Sequence, residues 1–346
     1  MLGTACNLHC RYCLQQCQKI PALPAEINPE IYKVIEDCAN RHEFDIVFYG
    51  GEPTVYFNKI KTIVKNIQKL NTKYPILIGM ISNGKLINKE IVDFINDNGL
   101  SVTISYDGQN SSKTRLYDVI KENKENILQL NNLGFSGVLS AENYLFEWGK
   151  DIDKLREEYR KIHGEESFVY ANVDYIFDTG IADKKLIENL DYDRIEKEFY
   201  ELARAIVTNN TKIGETAFSW GQHIADSLLS TFDLDKKKLI DINIDKAPCG
   251  NGYSVINIDL AGNLYSCHNE FTPIGDLKSN EKDYLQKVEE KDNTCLFKKE
   301  CEKCEALRIC YGGCKLLNKE TRESYCKIRK AIAKSFLAGV ASTLKK

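Results

Sequence analysis

The feature that most constrains this chain is an alternation of short apolar runs with amphipathic helical patterns through its middle. The run FDIVFYGG (44–51) precedes NKIKTIVKNIQKL, and PILIGMIS (75–82) precedes NKEIVDFINDNG. Likewise SVTISYDG (101–108) precedes RLYDVIKENKENILQLNNLG, FSGVLSA precedes WGKDIDKLREEYRKIHG, and SFVYANVDYIF follows. Apolar runs of strand length followed by apolar residues at helical spacing build parallel sheets through crossover units. Five strands are legible, and a sixth, if present, has only the tail MLGTA in which to form. Asn28 and Pro29 read as the N-cap and first turn of a helix over EIYKVIEDCAN. From about 181 to 245 the pattern becomes helical, with LDYDRIEKEFYELARAIV and TAFSWGQHIADSLLSTF as the clearest amphipathic stretches. The polar KSNEKDYLQKVEEKDN reads as a surface excursion.

The 13 cysteines flank this region and leave 39–248 free of cysteine. In a reducing compartment they stay thiols, so metal or redox chemistry explains them better than disulfides. The charge balance, 47 basic against 50 acidic residues and a net charge of -3, argues against a nucleic-acid partner. No stretch reaches the roughly 18 apolar residues that cross a bilayer, and no signal peptide precedes the first cysteine. The expectation is a cytoplasmic protein with no membrane partner.

At the front, Cys6, Cys10 and Cys13 form C-x3-C-x2-C. Three thiolates on one loop leave one iron of a cubane cluster without a protein ligand. A zinc site completed by His9 or Cys17 is the alternative. With Tyr12 as the aromatic in C-x3-C-x-aromatic-C, and with YGGEP following one unit later, the sequence resembles the radical S-adenosylmethionine (radical SAM) enzymes. The resemblance implies that Gly50, Gly51, Glu52 and Pro53 accept the amino group of the cofactor's methionine. It gives Ser82, Asn83, Ser105 and Asp107, at later strand ends, polar cofactor contacts, and Arg115 the methionine carboxylate. Read alone, the Asn-Gly and Asp-Gly pairs at those ends are turn signals, and Arg115 is a solvated cation at a helix start. In this family S-adenosylmethionine chelates the free iron, one electron breaks its carbon–sulfur bond, and a 5'-deoxyadenosyl radical abstracts a substrate hydrogen.

At the back, Cys249, Gly262, Cys267, Cys301-x2-Cys304-x5-Cys310-x3-Cys314 and Cys326 follow the seven-cysteine pattern of SPASM domains. YSVINIDLAGNLYSC between its first two cysteines reads as a β-hairpin. A pair of zinc ribbons fits only the local C-x2-C. The SPASM resemblance implies an outer auxiliary cluster on Cys301, Cys304, Cys310 and Cys326. It implies an inner one on Cys249, Cys267 and Cys314, either completed by Cys295 or left open to substrate, with the open site preferred. Cys17 and Cys38 have no slot in either pattern. Where sulfatase maturases of this family carry a catalytic aspartate, this chain has His268, a general base or a polar neighbour of a cluster.

The expected architecture is therefore a partial (β/α)6 barrel over 1–180, a helical connection over 181–245 and a SPASM domain over 246–346. Its cofactors are S-adenosylmethionine and three 4Fe–4S clusters. The expected activity is hydrogen abstraction from a ribosomally made precursor peptide and closure of a thioether or carbon–carbon cross-link. Sulfatase-type oxidation and a polyferredoxin-like electron carrier are the alternatives. The expected partners are that peptide, an electron donor such as flavodoxin or ferredoxin, and a separate leader-binding protein, since no leader-binding domain fits before Cys6.

Overall fold

A computed structural model of the protein describes residues 1–15, 24, 26–176, 182–229, 252, 254–291, 301, 303–310, 312–314, 316–317 and 319–344. Cys17, Cys249 and Cys295 lie outside the described residues.

The alternation folds as the periodicity requires. Helix α1 (Glu30–Ala39) leads into β1 (Phe44–Phe48), α2 (Phe57–Ile67), β2 (Ile76–Ser82), α3 (Lys89–Asp97) and β3 (Ser101–Ser105). The chain continues through α4 (Ser111–Thr114), α5 (Val119–Ile127), β4 (Leu133–Leu139), α6 (Leu145–His163) and β5 (Tyr170–Tyr175). The five strands are all parallel and lie in chain order, β1-β2-β3-β4-β5, so each connection is one crossover to the neighbouring strand. This curled half-barrel is the partial barrel that the alternation implies. Local chemistry punctuates it. Pro29, and not Asn28, is the N-cap of α1 and makes no side-chain cap bond, while Asn28 Oδ1, one residue earlier, accepts from Glu30 N at 3.0 Å; Asn88 and Asp118 cap α3 and α5 with their side chains.

The expected sixth strand does not form. Leu2 N donates to Tyr49 O at 3.0 Å and Leu2 is buried at 2% exposure, but residues 1–5 enter no ladder, and Gly3 breaks the extended run at φ +151. The tail therefore covers the end of β1 without extending a ladder.

One side of the sheet packs against the helices. Ile78 and Met80 of β2, Val102 and Ile104 of β3, and Leu133 and Phe135 of β4 share a core with Ile60, Val64, Ile91 and Ile95. On the other side Val47, Leu77 and Ile81 stay exposed, and Thr103 and Ser105 half-buried, so the concave face is open.

Three further helices follow the sheet: α7 (Lys185–Glu188), α8 (Tyr192–Val207) and α9 (Glu215–Leu229). The C-terminal part carries a hairpin, β6 (Asn257–Ile258) against β7 (Asn263–Tyr265), as its sequence predicts, and β7 also pairs with β8 (Gly275–Asp276). Asp259 builds the turn by accepting from Ala261 N, Asn263 N and Tyr265 OH, the last at 2.7 Å. The polar excursion is a helix, α10 (Glu281–Glu290), capped by Asn280 and anchored by buried Tyr284 and Val288. Two apolar anchors one turn apart suffice where the remaining face is solvated. After α11 (Leu307–Cys310), the long α12 (Lys319–Leu344) lies along α8 and sends Ile328, Ile332 and Phe336 into the same core as the half-barrel. No helix among the described residues is long and apolar enough to cross a membrane.

Candidate functional site

The loop holding Cys6, Cys10 and Cys13 lies across the carboxyl ends of β1, β2 and β3, where parallel α/β sheets gather their chemistry. At β1, Gly51 N donates to Gly3 O at 3.0 Å and Glu52 N to Ala5 O at 2.9 Å. At β2, Asn83 Nδ2 donates to Asn7 Oδ1 at 2.7 Å and approaches Cys6 Sγ at 3.7 Å. Beyond β3, Tyr12 OH donates to Asp107 Oδ2 at 2.7 Å, and Arg11 N donates to Thr114 O at 2.8 Å.

The glycines of YGGEP are explained by this crossing. A methyl group on Gly50 would meet Gly3 O at 2.2 Å, and one on Gly51 would meet Thr4 O and Ala5 O at 2.3 and 2.4 Å. The close approach that these residues allow is that of the cysteine loop itself. Backbone cannot yield as a flexible side chain can, so Gly51→Ala is expected to displace the loop and to cost about 1–3 kcal/mol. Urea unfolding checks this, together with loss of iron from the N-terminal site on reconstitution; an unchanged midpoint and iron content would contradict it.

Glu52, 1% exposed, has its carboxylate fully engaged. Oε1 accepts from Thr54 N, Thr54 Oγ1 and Ser82 Oγ at 3.0, 2.6 and 2.7 Å, and Oε2 accepts from Asn83 N at 2.7 Å. Glu52 and Ser82 thus tie the tip of β1 to the tip of β2, and Pro53 begins the 3-10 turn beside them. Ser105 ends β3 opposite Ser136 on the open face.

A second buried network holds Tyr12. Asp107, 0% exposed, also accepts from Thr114 Oγ1 at 2.6 Å and from Val138 N at 2.9 Å. Arg115 donates to Tyr12 OH at 2.6 Å and lies 4.0 Å from Asp107 Oδ1. Arg115, its side chain 11% exposed, is thus a paired and largely covered cation and not the solvated helix-start charge that position alone allows.

The three thiols crowd one another. Burial pushes Cys10 up to about 11, against the pull of Arg115, and the charges of Cys13 and Cys6 add to it. Cys6 is also raised, by burial and by Glu52 and Cys13. Thiolates that desolvation and mutual repulsion disfavour are what a polynuclear cation stabilises, so this donor set fits an iron–sulfur cluster. Among the described residues no three His, Cys, Asp or Glu side chains converge on a point that would hold a single ion. In a cubane each thiolate binds a different iron, so its sulfurs stand farther apart than the ligands of one zinc.

In the C-terminal part, Cys301, Cys304, Cys310 and Cys326 line one small cavity with Tyr325 and Arg329. Two turns, Cys304 N to Cys301 O at 3.0 Å and Gly313 N to Cys310 O at 2.8 Å, wrap the chain around it. Of the other cysteines, Cys267 is buried and accepts from Asn269 N, while Cys314 is half-buried and accepts from Leu316 N. Cys38 is exposed on α1.

Tyr49 links the two parts of the chain. Its hydroxyl donates to Asn269 Oδ1 at 3.1 Å, His268 packs edge-on against its ring at 4.5 Å, and Gln15 reaches the same Asn269 oxygen at 3.3 Å. Burial raises the Tyr49 hydroxyl, and the neighbouring charges of Cys13 and Cys267 raise it further. His268 therefore sits at the mouth of the half-barrel. Sequence reasoning passes over Tyr49, although it immediately precedes the Gly-Gly-Glu-Pro segment, and over Asn269, two residues beyond Cys267.

Comparisons with known proteins agree with this geometry. The sequence model of the radical SAM superfamily matches residues 1–141. The radical SAM cyclopropyl synthase TigE of Paramaledivibacter caminithermalis is 28% identical over 186 residues, 46% of this chain and 38% of that protein. The cysteine-type anaerobic sulfatase-maturating enzyme of Clostridium perfringens is 21% identical over 349 residues, 90% of this chain and 86% of that one. Among solved structures, native anSMEcpe with bound AdoMet superposes with a TM-score of 0.63 at 19% identity, covering 99% of both chains. The same protein with AdoMet and the Kp18Cys peptide gives 0.62 at 18% identity, also over 99% of both chains. These likenesses establish the fold. The superfamily match over 1–141 spans the three-thiol loop and the first four strands of the sheet.

Proposed function

We propose that this protein is a SPASM-type peptide maturase that oxidatively closes a thioether or carbon–carbon bond within a ribosomally made peptide. The observation that carries the reading is the gathering of Cys301, Cys304, Cys310 and Cys326 around one cavity, separate from the three-thiol loop at the strand ends. A chain with only the first site would need one cluster; the second donor set calls for an auxiliary one. The names of the relatives support a substrate with a modifiable side chain: one is a cyclopropyl synthase, another matures a sulfatase, and a neighbour of the same fold binds a peptide.

Cys6, Cys10 and Cys13 would hold a cluster that supplies the electron for reductive cleavage of S-adenosylmethionine. Glu52 and Asp107 fix the loop that carries those thiols, each by joining strand ends. Gly50, Gly51, Pro53, Ser82, Asn83, Ser105 and Arg115 shape the surface on which the cofactor lies, with the backbone of the Gly-Gly-Glu-Pro segment meeting its amino group. The open face of the sheet receives the peptide. Removal of one hydrogen atom leaves a carbon radical, and bond closure releases one further electron and one proton. Cys249, Cys267 and Cys314, with Cys295 or a substrate thiolate as the fourth ligand, would hold a cluster able to accept that electron. His268, packed on Tyr49 at the mouth, takes the proton on its imidazole. A flavodoxin or ferredoxin supplies the first electron, and a separate protein binds the leader.

The product peptide is therefore two hydrogen atoms lighter than the substrate. Mass spectrometry of cysteine-containing peptides encoded beside this gene, after anaerobic incubation with dithionite and S-adenosylmethionine, is expected to show that loss. Accumulation of 5'-deoxyadenosine with every such peptide unchanged in mass would contradict the reading.

A further inference from the structure

We infer that Arg329 sets the reduction potential of the cluster held by Cys301, Cys304, Cys310 and Cys326, with Asp174 as the counter-charge that limits its effect. The inference rests on the cluster assignment proposed above.

Arg329 stands on α12, is 6% exposed and lines the four-cysteine cavity. Its Nη2 donates to both carboxylate oxygens of Asp174 at 2.5 Å, and its guanidinium lies 4.9 Å from the centre of the Tyr325 ring. Asp174 belongs to β5, so the pair joins the half-barrel to the cysteine cavity. The Arg329 Nε is buried and has no hydrogen-bond partner among the described residues. Buried donors are seldom left unpaired, because desolvation without a partner is costly. A cavity of four thiols offers no strong acceptor until sulfide and thiolate occupy it, and the orphaned N–H suits such a sulfur.

Reduction adds one negative charge to a cluster. A fixed cation and an N–H bond to sulfur stabilise the reduced form, so both raise the potential. Asp174 opposes them. At 39% side-chain exposure its charge is partly screened by water, whereas Arg329 at 8% is not, so the arginine dominates. The strand therefore reports to the cluster: any change in the charge of Asp174 alters how readily this site accepts an electron.

The test is an EPR-monitored redox titration of the reconstituted full chain. Arg329→Met is expected to lower the midpoint potential of the auxiliary-cluster signal. Arg329→Lys keeps the charge but loses the Nε fork, and should lower it less. Asp174→Asn, nearly isosteric and leaving Arg329 in place, should raise it. Opposite shifts in Arg329→Met and Asp174→Asn support the inference; shifts of the same sign, or none in Asp174→Asn, overturn it. If iron content is unchanged in a Cys301→Ala/Cys304→Ala double variant, the cavity holds no cluster and the assignment beneath the inference fails instead.

Discussion

Replacement of Asp107 by alanine is expected to destabilise the protein by about 3–5 kcal/mol, the range for removing one partner of a buried charged network. Its carboxylate accepts from Tyr12 OH, Thr114 Oγ1 and Val138 N, and it is the anion nearest Arg115. Alanine strands all three donors in a site that excludes water and leaves the Arg115 cation with Tyr12 as its remaining polar contact at the site. A loss of that size is a large share of the roughly 5–15 kcal/mol by which a domain is stable. Tyr12 lies between Cys10 and Cys13, so the same substitution loosens the cysteine loop. Urea unfolding measures the first effect and reconstituted iron the second. A midpoint within the error of wild type would show that the network contributes little.

Replacement of Cys10 by alanine is expected to abolish 5'-deoxyadenosine formation while leaving the C-terminal clusters assembled. Cys10 is the most buried of the three thiols, and its charge couples to both others. With two thiolates the cluster loses a necessary ligand, and the iron content should fall by about four from about twelve per chain. Cys6→Ala and Cys13→Ala should match it, because the three act as a unit. A residual fraction of the activity in any of them, or a loss of all irons, would count against two independent donor sets.

Much of this arrangement is legible in the sequence, and the exceptions have a physical pattern. The runs FDIVF, ILIGMIS and SVTIS become β1, β2 and β3 because strand length and apolar content are local properties. The two cysteine groups announce themselves by spacing, which the chain carries in one dimension. What spacing does not carry is which distant residues meet. Asp107 reads as half of an Asp-Gly turn, yet its carboxylate binds Tyr12, 95 residues earlier. Glu52 reads as a cofactor residue, yet its oxygens are filled by Thr54, Ser82 and Asn83, and that depends on how β1 and β2 align. Gly50 and Gly51 read as a cofactor contact, but not as the place where the backbone of Gly3 to Ala5 crosses the strand end. Arg329 reads as one more cation on a helix, and its partner Asp174 lies 155 residues away. MLGTA leaves room for a short sixth strand, but residues 1–5 form none, and Gly3 adopts φ +151.

The central claim is that the three-thiol loop cleaves S-adenosylmethionine and the C-terminal cysteines serve it. The most direct test is anaerobic incubation of the reconstituted wild-type chain with S-adenosylmethionine and dithionite, with 5'-deoxyadenosine quantified by chromatography and Cys10→Ala run alongside. The account predicts 5'-deoxyadenosine from the wild type and none from the variant. A wild-type chain loaded with iron at both donor sets that yields no 5'-deoxyadenosine would contradict it, and would leave an electron carrier in its place.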